Sequence, residues 1–107
     1  MRAITAKAIA AFDAGVPFQL DNTEVRIADR PGEVCVELLL FDNAIARRWV
    51  PIITDDPPVL EISTGGWDTS TTRDRLNGIP GVSTGRRAGD LYLNGKQWDG
   101  KWTEVRA

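Results

Sequence analysis

The residues best placed to do chemistry lie in one stretch, Gly65-Gly66-Trp67-Asp68-Thr69-Ser70-Thr71-Thr72-Arg73-Asp74-Arg75-Leu76-Asn77-Gly78-Ile79. A glycine pair followed by four hydroxyl residues reads as a sharp turn entering a short helix, with several N-cap choices and Gly78 as its stop. The chemistry such an entrance offers is anion binding. Thr69, Ser70, Thr71 and Thr72 would present hydroxyls and free backbone N–H groups at the positive end of the helix dipole. Arg73 and Arg75 sit just inside it, Arg86 and Arg87 follow in a glycine-rich loop, and Trp67 is a surface on which a base could stack. A structural reading competes for the same residues. In it, Trp67 is a core anchor, the hydroxyls only cap the helix, Asp68 and Asp74 neutralise the arginines, and Leu76 and Ile79 hold the helix on a sheet. That is the commoner fate of such a stretch.

A second group, Tyr92, Trp98 and Trp102, lies in the tail. Tryptophan on a small terminal hairpin is a frequent interface anchor, and it packs equally well onto an uncovered sheet face. Other chemistries lack their residues. With no histidine, histidine-activated nucleophiles and histidine metal sites are excluded. No phosphate-loop, dinucleotide or calcium-loop pattern occurs. Asp55 and Asp56 form an acidic turn of the kind that is usually solvated, so no metal or cofactor is assigned. Cys35 lies inside a strand and reads as a buried structural thiol.

Several elements must position these residues. Thr5 is expected to cap a helix over residues 6–14, stapled by Ile4 and Ile9, closed by Gly15 and kept closed by Pro17. Strands are expected at Thr23–Ala28, Glu33–Phe41, Ala44–Ile52 and Val59–Thr64, separated by turns at Asp29–Gly32, Asp42-Asn43 and Asp55–Pro58. The Asp42-Asn43 loop predicts that Leu40 faces Ile45, Val36 faces Trp49 and Glu37 faces Arg48. The preceding turn likewise sets Ile27 against Val34 and Val25 against Val36. The far face, carrying Cys35, Leu39, Phe41, Ala46 and Val50, is expected to need a cover. After the second helix, Pro80–Gly89 reads as a loop. Asp90–Leu93, Asn94-Gly95 and Lys96–Trp98 make a hairpin, with Trp98 facing Leu91. Asp99-Gly100 turns again before Lys101–Val105, which is expected to carry Trp102 on the face of Tyr92.

The totals agree with one α+β domain spanning 1–107: an N-terminal helix, a four-stranded antiparallel meander, a short second helix and a C-terminal β-hairpin. The chain carries 13 basic and 15 acidic side chains, but residues 1–69 hold 6 basic and 11 acidic and residues 70–107 hold 7 and 4. Net charges of −5 and +3 make a mild directional asymmetry. An apolar fraction of 42% with no long apolar run predicts neither membrane span nor membrane partner. The lone cysteine and the lack of a signal-like N-terminus point to the cytoplasm.

At Gly66-Trp67-Asp68-Thr69-Ser70-Thr71-Thr72-Arg73-Asp74-Arg75-Leu76-Asn77 the chain resembles small proteins of tailed bacteriophages and prophages. In these a glycine–tryptophan pair, spaced threonines, an arginine and a leucine–asparagine pair recur, after a strand hairpin like Val36–Arg47 and a helix like Ile4–Phe12. The resemblance implies a phage-encoded protein in a bacterial cytoplasm and carries no activity or ligand with it. The function expected is therefore a non-enzymatic phage accessory protein that binds a host or phage macromolecule, with protein the leading partner. Its expected contact residues are Trp67, Thr69, Ser70, Thr71, Arg73, Arg75, Arg86, Arg87, Trp98 and Trp102. The alternative is a nucleic-acid or nucleotide binder using the arginines and the Thr69–Thr72 entrance, which the overall acidity disfavours. A homo-oligomer is also open. A nucleic-acid binder should gather Arg47, Arg73, Arg75, Arg86 and Arg87 on one surface, a protein binder should expose an apolar patch with a tail tryptophan, and an enzyme should show a pocket of converging polar groups.

Overall fold

Alternation through Thr23–Pro51 forms the strands it predicts, and two flanking helices cover one face of them. The computed structural model describes residues 2–106. Among these, α1 is Ala3–Ala14, followed by β1 (Phe18–Leu20), β2 (Thr23–Arg30), β3 (Glu33–Leu40), β4 (Asn43–Pro51) and β5 (Val59–Ile62). Then come α2 (Ser70–Asn77), β6 (Thr84–Arg87), β7 (Asp90–Leu93), β8 (Lys96–Gln97) and β9 (Thr103–Val105). The strands make a six-stranded antiparallel sheet in the order β1-β2-β3-β4-β5-β9 and a small one in the order β6-β7-β8. No described helix is long and apolar enough to cross a membrane. The architecture is the expected α+β one, with differences in detail that have physical causes.

Thr5 does not cap α1. The helix begins at Ala3 behind Arg2, and Thr5 lies buried within it, its hydroxyl committed to α2. Gly15 closes the helix in the left-handed conformation (φ 69°), as expected. Gly78 acts differently. Its φ is −72°, and a Cβ there would lie 2.8 Å from both Ile9 Cγ1 and Thr5 Cγ2. The missing side chain lets α2 close onto α1.

The β2–β3 turn is shorter than predicted, only Pro31-Gly32, so Ile27 pairs with Val36 and Val25 with Leu38. A slip of two residues keeps every side chain on its face. At β3–β4 the turn is Phe41-Asp42, not Asp42-Asn43. Leu40 therefore pairs with Asn43, Val36 with Arg48 and Glu37 with Arg47. This slip of one residue moves Trp49 to the far face and turns Arg48 toward α1. Charge pairing could not distinguish the two registers, because consecutive arginines offer Glu37 a partner in either. Arg48 is tolerated because it closes α1: Nη1 donates to Phe12 O at 2.7 Å, Nη2 reaches Asp13 at 3.0 Å, and the guanidinium lies 4.3 Å over the Phe12 ring. A bulge at Ile45 then restores the apolar count, letting both Ile45 and Ala46 be buried.

Ala46 and Val50 consequently belong to the helix-covered face, opposite Leu38 and Val34. The far face carries no second layer among the described residues. A row of alternating charges, Arg26–Glu37–Arg47–Glu61, crosses four strands in register and ends on Glu104. Beside it Arg30 stacks on Trp49 at 4.7 Å, Trp49 Nε1 donates to Glu61 at 2.6 Å, and Trp102 from the sheet edge stacks on Arg47 at 4.0 Å. Long side chains lying flat shield Cys35, which is buried, with its thiol pKa raised by burial and by Glu37.

Three strands went unforeseen or misplaced. β1 adds an edge to β2, and Thr84–Arg87 is a strand where a loop was expected. Thr103–Val105 leaves the tail hairpin and joins β5, because the chain reverses at Gly100, whose carbonyl accepts from Thr64 N at 2.9 Å and Ser63 Oγ at 3.2 Å. The core between sheet and helices holds Phe12, Leu38, Ile45, Ile62 and Leu76, and Trp98 from the tail.

Candidate functional site

The hydroxyl- and arginine-rich stretch folds largely as a clamp. Arg75 is 2% exposed and is the largest fully buried side chain among the described residues. Its Nη1 donates to Thr5 Oγ1 at 2.8 Å and to Asp74 Oδ2 at 2.9 Å, Nε to Thr23 Oγ1 at 2.9 Å, and Nη2 to Asn22 Oδ1 at 3.3 Å. Thr5 donates in turn to Asp74, and Thr23 to Asn22. One guanidinium thus ties α2 to α1 and β2, with every member of the network satisfied, as burial of a charge demands. Burial raises the Asp74 pKa, but the Thr5 hydroxyl, Arg2 and Arg75 outweigh it and hold the carboxyl below its ordinary value.

The remaining predicted contacts divide. Thr69 is the N-cap of α2, accepting from Thr72 N at 3.1 Å, and Thr72 is buried behind it. Ser70 is exposed, and Thr71 accepts from Arg2 at 3.1 Å. Asp68 takes both Arg73 (Nη1, 2.5 Å) and Arg86 (Nε, 2.5 Å), while Arg87 lies 5.6 Å over Tyr92. Asn77 holds the small sheet by accepting from Thr84 N at 2.6 Å and donating to Thr84 O at 3.1 Å. Trp98 is a core residue whose Nε1 donates to Thr103 Oγ1 at 2.9 Å. Trp102 stays partly exposed against Arg47. The five arginines do not share a surface: Arg75 is internal, Arg47 is on the far sheet face, and Arg73 and Arg86 are already bound to a carboxylate.

Trp67 has another situation. Gly65 and Gly66, at φ 66° and 88°, throw it outward, and it is 66% exposed. Across from it stands Phe41, also 66% exposed, on the β3–β4 turn. Between them lies an apolar cleft of about 460 Å³ lined by Leu40, Phe41, Asn43, Ile45, Thr64, Trp67, Thr69 and Thr72. No titratable group lines it, and its size lies within the roughly 300–1,000 Å³ of ligand sites.

Phe41 is also held in an unfavourable backbone conformation. Its φ is 49° and that of Asp42 is 65°, the left-handed values a two-residue hairpin loop requires. A bulky residue seldom adopts them. The strain is fixed from both sides: Phe41 N donates to Asn22 O at 2.8 Å, and Asn43 Nδ2 donates to Phe41 O at 3.2 Å. Phe41 was expected on a strand face. The signal that could have exposed it is local, an aromatic directly before Asp-Asn at a hairpin, where any register near the turn leaves it no interior.

This is an α+β protein with an aromatic-walled apolar cleft, beside which Arg73 and Arg86 are already paired with Asp68. Over residues 1–105 the chain matches the family model of the Kyanoviridae Gp96 protein, and it belongs to that family of phage proteins. The phage origin implied by the central motif is thereby borne out. No curated protein and no solved structure matches the chain.

Proposed function

We propose that this phage protein acts as a non-enzymatic accessory protein that binds another protein, host- or phage-encoded, through the Phe41–Trp67 cleft. The observation that carries the reading is the pair of aromatic side chains, each 66% exposed, facing each other over an apolar floor. Large exposed aromatics around a preformed cleft are the anchoring chemistry of protein interfaces. The Asp68–Arg73–Arg86 cluster beside it supplies a polar rim. Burial of Arg75 and pairing of Arg73 and Arg86 leave little free positive charge for a phosphate backbone.

The test is site-specific photo-crosslinking in producing cells, with a photoreactive phenylalanine analogue placed at Phe41 or Trp67 and, as control, at Glu104. The expected result is a discrete cross-linked protein from the two cleft positions and not from the control. Cross-links to nucleic acid, or none from either cleft position, would remove the reading.

A further inference from the structure

The apolar cleft shares a wall with a second, polar hollow. Phe41 bounds both: it lines the cleft with Trp67, and it lines a hollow of about 220 Å³ with Gln19, Asp21, Glu24 and Asp42. The two adjoin because neighbouring turns of the sheet are tied together. Asp21 belongs to the β1–β2 turn and Phe41-Asp42 to the β3–β4 turn. Thr23 pairs with Leu40 beside them, and Phe41 N donates to Asn22 O at 2.8 Å.

Charge on the two flanks of the cleft differs, and internal pairing does not cancel the difference. Asp21 and Asp42 are exposed, and among the described residues neither takes part in an ion pair. Glu24 is half-buried and lies 3.3 Å from Arg26. On the Trp67 side, by contrast, Asp68 already holds Arg73 and Arg86, so no free carboxylate faces a partner there. No titratable group lines the cleft itself. An apolar group seated in the cleft therefore has two free carboxylates on the other side of a single ring. A lysine or arginine beside that group reaches them across Phe41, its stem covering the ring and its cation beyond. An acidic neighbour in that place would be repelled.

Resting on the reading of the cleft as a protein-docking site, we propose that its occupant is a segment of the partner protein in which a large apolar side chain adjoins a lysine or arginine. The apolar group sits between Phe41 and Trp67, and the cation enters the hollow of Asp21 and Asp42. Ion pairs this exposed add little affinity, so they select the segment more than they hold it.

Photo-crosslinking from position 67 in producing cells tests it, because Phe41 then stays in place. Asp21→Asn with Asp42→Asn removes both charges, and asparagine accepts the φ of 51° and 65° found there, so the turns are kept. Asp55→Asn with Asp56→Asn removes the same charge between β4 and β5 and serves as control. The yield of the cross-linked partner should fall about threefold or more in the first pair and stay unchanged in the second. Mass spectrometry of the cross-linked peptide should find a lysine or arginine beside a large apolar residue. Equal yields from the two pairs, or a cross-linked segment without a basic residue, overturn the proposal and leave the docking reading standing. No cross-link from position 67 or from position 41 overturns both.

Discussion

On the proposed reading of the cleft Phe41 would couple fold strain to binding, and Phe41→Asn separates the two. A left-handed conformation costs an ordinary L-residue about 1–2 kcal/mol, a cost asparagine largely avoids through local hydrogen bonding. Phe41 is 66% exposed, so only about a third of the roughly 1.5–3 kcal/mol from full phenylalanine burial is at stake, about 0.5–1 kcal/mol. Relief of strain matches or exceeds the lost burial. The expected outcome is no loss of stability, up to a gain of about 1 kcal/mol, together with loss of docking at the cleft. Urea unfolding followed by circular dichroism reads the first as a midpoint shift at unchanged slope. The sign is diagnostic. Phe12→Ala, at a position that is 0% exposed, should instead cost about 3–5 kcal/mol. A loss above about 2 kcal/mol for Phe41→Asn would show that Phe41 is a structural residue and that the strain argument fails.

Other expectations test the clamp. Arg75→Met removes one partner of a buried ionic network and should cost about 3–5 kcal/mol in urea unfolding; a loss below about 1 kcal/mol would mean that the guanidinium holds nothing together. Because the folded pKa of Asp74 lies below its unfolded value, its contribution is present above about pH 4 and is lost as pH falls through the lower folded value. Wild-type stability should therefore drop more steeply than that of Asp74→Asn on acidification below pH about 4, and parallel curves would exclude this role. Gly78→Ala would stabilise by about 0.4–1 kcal/mol if only chain entropy counted. With Ile9 and Thr5 carbons 2.8 Å from the new Cβ it should destabilise instead, by about 1–3 kcal/mol, and a raised melting temperature would contradict the packing.

Much of this fold was legible because hydrophobic period and turn chemistry agreed, as in β3 and in α2, where Thr69 and Gly78 mark the ends. The β3–β4 register was not. It turned on whether Phe41 or Asn43 entered the loop, and local preference points to Asn43, which tolerates positive φ far better. Long-range packing of Leu38, Leu40 and Ile45 outweighed that preference and left the strain on Phe41. Arg75 was legible as a cation but not as a buried one, since its partners Thr5, Asn22 and Thr23 lie more than fifty residues away. Trp98 and Trp102 looked alike in sequence. They separate only because the chain, after a turn at Asp99-Gly100 that the sequence marks, pairs with β5 and not with the tail hairpin, a choice with no local signature.

The same placement explains why a stretch that looks like an anion site behaves as a mount. Thr72, Arg75 and Leu76 are buried, while Thr69 caps the helix, Asn77 bonds the small sheet and Gly78 meets α1. Trp67 is the large apolar side chain of the stretch that points out, and it follows two left-handed glycines whose position is fixed by the helix they precede. A binding aromatic on a free loop loses affinity to ordering; one carried by a clamped turn loses little. Arg75→Met should consequently weaken docking at the cleft even in conditions where the variant stays folded, although Arg75 does not line it. Photo-crosslinking from Phe41 in producing cells reads this directly: adding Arg75→Met should lower the yield of the cross-linked partner. An unchanged yield in a folded Arg75→Met variant would mean that Trp67 is positioned by its glycines alone.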